Sequence, residues 1–182
     1  GRFGGGRGKA RVIDMEGVDT PEALHKRARV LLRKGKYPAA VELLEEALVR
    51  QGPHASLELR YDSAMTYKQV GRFRDARDQL SLIVGEDPHY RAGQAFLELA
   101  DCHQQMGEKQ RARELFEQLL EHIRFPEARY RYGLLLENLG VNEKAAGQMQ
   151  TLLDEMKDAP DFHKHNNRRY AKLAKKFLRG HR

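Results

Sequence analysis

The sequence predicts an all-α fold, a solenoid of stacked helix pairs. A glycine recurs at positions 35, 71, 107 and 140, and an alanine follows each by five residues, at 40, 76, 112 and 145. Apolar residues at helical spacing flank every glycine. Each repeat therefore reads as helix, left-handed glycine turn, helix, with the alanine where two helices approach too closely for a larger side chain.

The repeats are expected at about 20–55, 56–91, 92–125 and 126–160. In the first, Thr20-Pro21-Glu22 is a helix start: a capping hydroxyl, proline at the first helical position, then an acid. Leu24, Ala28 and Leu31 form its apolar stripe. Pro38 falls in the first turn of the second helix, within "RKGKYPAAVELLEEAL". The second repeat carries "KQVGRFRDARDQLSLIV". The third has Phe96, Leu99, Ala100 and His103 before its glycine, then Ala112, Leu115, Phe116, Leu119 and Leu120. The fourth, "ENLGVNEKAAGQMQTLL", follows the pattern more loosely. Pro53, Pro88, Pro126 and Pro160 close successive repeats.

Past the repeats, residues 163–179 read as one last helix within a basic capping segment, 161–182. Tyr170, Leu173, Ala174, Phe177 and Leu178 make its apolar stripe. Arg168, Arg169, Lys172, Lys175, Lys176 and Arg179 cover the remainder. A solenoid leaves its terminal apolar face open, and a helix with a polar outside closes it.

These residues resemble the tetratricopeptide repeat family over about 20–160. Ala64, Tyr67, Gly71, Phe73, Ala76, Leu80 and Pro88 stand on family positions in the second repeat, and Phe96, Leu99, Ala100, Gly107, Ala112 and Phe116 in the third. Arg60 and Arg129 replace the usual bulky first-helix residue, and Asn142 stands where an aromatic is usual. The resemblance implies a right-handed α-solenoid with first helices lining a concave groove for a protein or peptide. Its groove residues would be His25, Arg29 and Arg33, then Tyr61, Met65 and Lys68. The third and fourth repeats add Leu97, Asp101, Gln104, Tyr130, Leu134 and Glu137. Self-association through Tyr, Met and Leu is the competing use of that surface. Capture of a chaperone's C-terminal carboxylate is disfavoured, because Asp62, Gln94 and Glu98 stand among the corresponding positions.

The formal net charge of +7 belongs to the ends. Residues 1–13 carry +4 and residues 161–182 carry +7, so the intervening chain is net −4. A general argument from basicity to nucleic acid therefore fails, and nucleic acid is the disfavoured partner. An anionic membrane surface or nucleic acid met by the basic ends is the alternative to the protein scaffold. The opening "GRFGGGRGKARV" is no phosphate loop, because Gly8-Lys9 is followed by alanine rather than Ser or Thr. Residues 1–19 are expected to be a flexible basic stretch, and their cations would suit a juxtamembrane position. The expected location is cytoplasmic, with anchoring to the inner membrane by a helix preceding Gly1 as the extension of that reading.

Chemistry has little to work with. One cysteine, Cys102, permits neither an internal disulfide nor a thiolate cluster. The eight histidines are scattered, and His163 and His165 face different ways on a helix. His103 occupies a packing position. A non-enzymatic adaptor with no cofactor is the expectation.

Overall fold

The computed structural model describes residues 19–181. Helices dominate, and the described residues contain no strand. The described residues divide into two compact units, 19–79 and 80–181. Residues 1–18, which carry the opening glycine-rich stretch, lie outside the described residues.

The first unit begins with α1 (Pro21–Arg33), which starts as expected: Thr20 Oγ1 accepts from the Ala23 amide at 3.0 Å. α2 (Tyr37–Gln51) carries Pro38 in its first turn, where its missing amide costs nothing. A 3₁₀ turn, Gly52–His54, leads to Ser56, which caps α3 (Leu57–Gln69) by accepting from the Leu59 amide. α4 (Phe73–Glu86) begins in this unit and ends in the next. Leu24, Ala28, Ala40, Leu44, Ala47, Ala55 and Leu59 form the core between α1, α2 and α3.

In the second unit, the 3₁₀ turn Tyr90–Gly93 precedes α5 (Gln94–Gln105), followed by α6 (Lys109–His122). α7 (Pro126–Asn138) and α8 (Asn142–Lys157) form the next pair. Pro126 opens α7 rather than merely ending the segment before it. Phe116, Leu119, Leu135, Leu136, Met149 and Leu152 are fully buried, and the Phe116 ring stacks on Tyr132 at 5.6 Å. Gly93 has φ +90°, a backbone conformation that favours glycine, and a Cβ there would press on the tip of Ile123 at 2.9 Å.

The four turn glycines behave alike. Their φ values are 70°, 76°, 78° and 77°. At each, the glycine amide donates to the carbonyl three residues back and the next amide donates five back, for example Gly71→Lys68 and Arg72→Tyr67. This is the Schellman closure, which satisfies the last carbonyls of the first helix and reverses the chain. Ala40, Ala76, Ala112 and Ala145 all have 0% exposure, as their place at the helix crossing demands. Seven residues before each turn glycine stand Ala28, Ala64, Ala100 and Gly133, also buried.

The last segment differs from expectation. It is two helices, α9 (Asp161–Asn166) and α10 (Arg168–Gly180), not one. The break is at Asn167, whose side-chain amide donates to the His163 carbonyl at 3.0 Å and satisfies the end of α9. α10 packs on α8 and α7 through buried Ala174 and Phe177.

Candidate functional site

The expected groove residues fall into two sets, one in each unit. In the first unit, α1 and α3 bring charged groups together. His25 Nε2 is 2.6 Å from Asp62 Oδ2, and Arg29 Nε donates to the same oxygen at 3.0 Å. The Arg29 guanidinium also bonds Glu58. Burial acts to raise the Asp62 pKa, but the hydrogen bonds and charges of His25 and Arg29 outweigh it and hold the carboxyl below its ordinary value. His25 and Arg29 thus tie α1 to α3 within the unit, with the Arg29 side chain still partly exposed.

The remaining members offer a different surface. Arg33 is exposed, while Tyr61, Met65 and Lys68 are half-buried. Met65 helps line a hollow of about 190 Å³ with Leu32, Tyr37, Asp62, Thr66 and Gln69. Apolar and hydroxyl-bearing side chains dominate this lining.

The second unit departs further from expectation. Leu97 is fully buried, so it cannot line a groove. The reason is local: α5 is apolar nearly all round, with Ala95 to Ala100 all buried. Asp101 Oδ1 lies 4.0 Å from Arg131, and Gln104 is half-buried. Leu134 and Glu137 are exposed. Tyr130 and Glu137 meet the last helix: the Tyr130 ring is 6.1 Å from that of Tyr170, and Glu137 Oε2 is 3.2 Å from His181 Nε2. A hollow of about 300 Å³ lies beside them, lined by Tyr130, Leu173, Lys176, Phe177, Gly180 and His181.

Two networks lay hidden from sequence reasoning. Arg60 and Arg129 are buried at the packing position where a bulky apolar residue is usual. Arg60 donates to Gln79 Oε1 at 2.9 Å and to the Pro53 carbonyl at 3.0 Å. Arg129 donates to Gln148 Oε1 at 2.7 Å and to Glu155 Oε1 at 3.0 Å. Their stems fill apolar space while each guanidinium reaches an acceptor on the following helix, Arg60 reaching back to the preceding turn as well. The signal was present: each arginine is followed by a glutamine 19 residues later. The second network joins Tyr67 to Glu45 at 3.0 Å and Tyr132 to Glu117 at 2.7 Å. Both glutamates stand ten residues after a turn glycine.

The six cations of α10 (Arg168, Arg169, Lys172, Lys175, Lys176 and Arg179) are all exposed. Cys102 is buried, and His103 is buried with Nδ1 3.1 Å from Glu108 Oε2. Among the described residues, no three His, Cys, Asp or Glu side chains converge as metal ligands, and no helix is long and apolar enough to cross a membrane.

Known proteins place this geometry. One family model, described as tetratricopeptide repeat, matches residues 31–98, and a second of the same description matches 94–122. No curated protein sequence matches. Among solved structures, a MamA protein aligns at 22% identity over 75% of this chain and 73% of its own, with TM-score 0.66. MamA from Desulfovibrio magneticus RS-1, from residue 41 to its end, aligns at 15% identity over 76% and 78%, TM-score 0.67. A tetratricopeptide repeat protein from Parabacteroides merdae aligns at 20% identity over 87% of this chain but 58% of its own, TM-score 0.68. At these identities the likeness is one of fold.

Proposed function

The chain belongs to the tetratricopeptide repeat family, an all-α solenoid class of protein-interaction scaffolds, and from that premise we infer that it binds a protein or peptide segment on the first-helix face of its repeats. The observation that carries this reading is the surface of α1 and α3 in the first unit. Tyr61 and Met65 are half-buried there, and Met65 lines a hollow of about 190 Å³. Aromatic and methionine side chains give large apolar contact, and Met adapts to irregular partners. Arg33, exposed at the end of α1, supplies the polar rim. His25, Arg29, Glu58 and Asp62 hold α1 against α3, so the face is presented by a braced pair of helices.

The test begins with affinity capture by the full chain, identification of the partner, and measurement of its affinity. Tyr61→Ala and Met65→Ala should each weaken binding about tenfold, the effect of losing a central apolar anchor. Both should melt near the parent temperature, since neither residue belongs to the buried core. Unchanged affinity in the double variant would refute the first-helix face as the binding surface. Tyr130→Ala is the poorer probe, because it also removes a ring packed against α10.

A further inference from the structure

We propose that the strip between α8 and α10 binds an acidic, apolar-studded segment of a partner protein. The idea rests on the scaffold reading but places this contact on the last helix, apart from the first-helix face. The strip contains a hollow of about 270 Å³ lined by Gln150, Leu153, Lys175, Leu178 and Arg179. Leu153 and Leu178 are half-buried and make an apolar floor, while exposed Lys175 and Arg179 stand at its rim. Lys175, Leu178 and Arg179 lie at i, i+3 and i+4, so one face of α10 presents all three.

Charge argues for the occupant. α10 carries six cations and no acid. Among the described residues none of the six has an acidic partner at salt-bridge distance, and neighbouring α8 supplies none. Of its three acids, Asp154 is taken by Gln150 at 2.9 Å and Lys157 at 3.6 Å, Glu155 by Arg129, and Glu143, in the first turn, makes no ion pair with α10. At its start the helix also opposes its own electrostatics. Arg168 and Arg169 stand at the positive end of its dipole, and Arg168–Lys172, Lys172–Lys176 and Lys175–Arg179 are like-charged pairs one turn apart. A cap needs only a polar exterior, and mixed charges would serve it better. A partner bearing carboxylates relieves the repulsion.

The apolar floor selects among anionic partners. A nucleic acid backbone would use the cations and leave Leu153 and Leu178 without a contact. Insertion into a membrane needs an outward apolar stripe, whereas Ala174 and Phe177 are buried against the fold. A segment alternating acids with leucine-like residues uses both floor and rim.

The probe is a fluorescein-labelled peptide of alternating Glu-Glu and Leu-Leu pairs, titrated with the full chain and read by anisotropy at roughly 0.15 M salt. Lys175→Glu combined with Arg179→Glu should weaken binding about tenfold or more, and so should Lys175→Gln with Arg179→Gln, with circular dichroism unchanged. Peptides with Gln for Glu, or Ser for Leu, should each bind more weakly. Tyr61→Ala should leave this binding intact, which separates it from the first-helix face. Loss of binding in Tyr61→Ala, equal binding of the Ser peptide, or tighter binding to phosphatidylserine vesicles or duplex DNA would each overturn the proposal.

Discussion

The two units solve one problem in parallel and differ in a single partner. Arg60 in α3 and Arg129 in α7 hold the same place, eleven residues before their turn glycines, and both donate to a glutamine on the following helix. Arg60 finishes on a backbone carbonyl, that of Pro53. Arg129 finishes on the Glu155 carboxylate, and its Nε is left buried without a partner. A cation can thus stand in for a bulky apolar residue if the next helix provides acceptors. The first unit supplies neutral acceptors only, and the second supplies a countercharge.

The largest expected effect tests that difference. Glu155→Ala should strand a guanidinium that is only 9% exposed, at a cost of about 3 kcal/mol. Gln79→Ala removes a neutral acceptor and leaves Pro53 in place, so about 1–2 kcal/mol is expected. Urea unfolding of the two variants gives the comparison directly. Equal losses would mean that the carboxylate is no more than another acceptor. Arg129→Met with Glu155→Met should recover most of the loss, because no buried charge is left uncompensated.

A second parallel concerns the tyrosines. Glu45 and Glu117 are register-equivalent acceptors, but Tyr67 reaches the first from four residues before its turn glycine, and Tyr132 reaches the second from eight before. In these two repeats the acceptor keeps its register, while the donor comes from either of two helical turns. Burial, with the bond to Glu117, pushes the Tyr132 hydroxyl up to about 12 from an ordinary 10.0. Burial and Glu45 raise Tyr67 as well. A raised folded pKa gives stability that is complete below the unfolded value and lost as pH climbs through the folded one. The protein should therefore lose stability between pH 10 and about 12. Tyr132→Phe should cost about 1 kcal/mol at neutral pH and flatten that alkaline decline. An unaltered decline in Tyr132→Phe would assign it elsewhere. On the acid side, Tyr132, then Arg113, hold Glu117 below its ordinary value despite burial. Its contribution is present above the ordinary carboxylate range and disappears as pH falls through the lowered value.

What the sequence disclosed divides along the same line. Gly35, Gly71, Gly107 and Gly140, with the alanines five residues later, are imposed by backbone geometry, so spacing alone reveals them. Arg60 and Arg129 read as departures because a residue-by-residue template has no place for a cation whose acceptor lies 19 positions away. Leu97 shares the register of Tyr61 and Tyr130, ten residues before a turn glycine, yet "AFLELA" is apolar on too many sides to present a free face. His25 and Arg29 read as available because Asp62 and Glu58 belong to a different helix. Pairing between helices is tertiary information, and only a fixed offset, such as the glutamine's, betrays it in sequence.

The smallest expected effect compares Ala64 with Gly133, which occupy the same place seven residues before a turn glycine. Ala64 has 0% exposure, and at Gly133 a Cβ would lie 2.6 Å from Met149 Cε. That contact is with the tip of a flexible side chain, so Met149 can swing aside, at a strain of about 1 kcal/mol. Placing alanine mid-helix recovers a similar amount of backbone entropy, about 1 kcal/mol. Gly133→Ala should thus change stability by less than about 0.5 kcal/mol. Ala64→Gly has no such compensation and should cost about 1 kcal/mol. Thermal melts of the pair decide the matter. If Gly133→Ala costs more than Ala64→Gly, Met149 is locked, and the α7–α8 crossing is the tighter of the two. If Gly133→Ala stabilises, the methionine had slack, and glycine there answers to nothing in the packing.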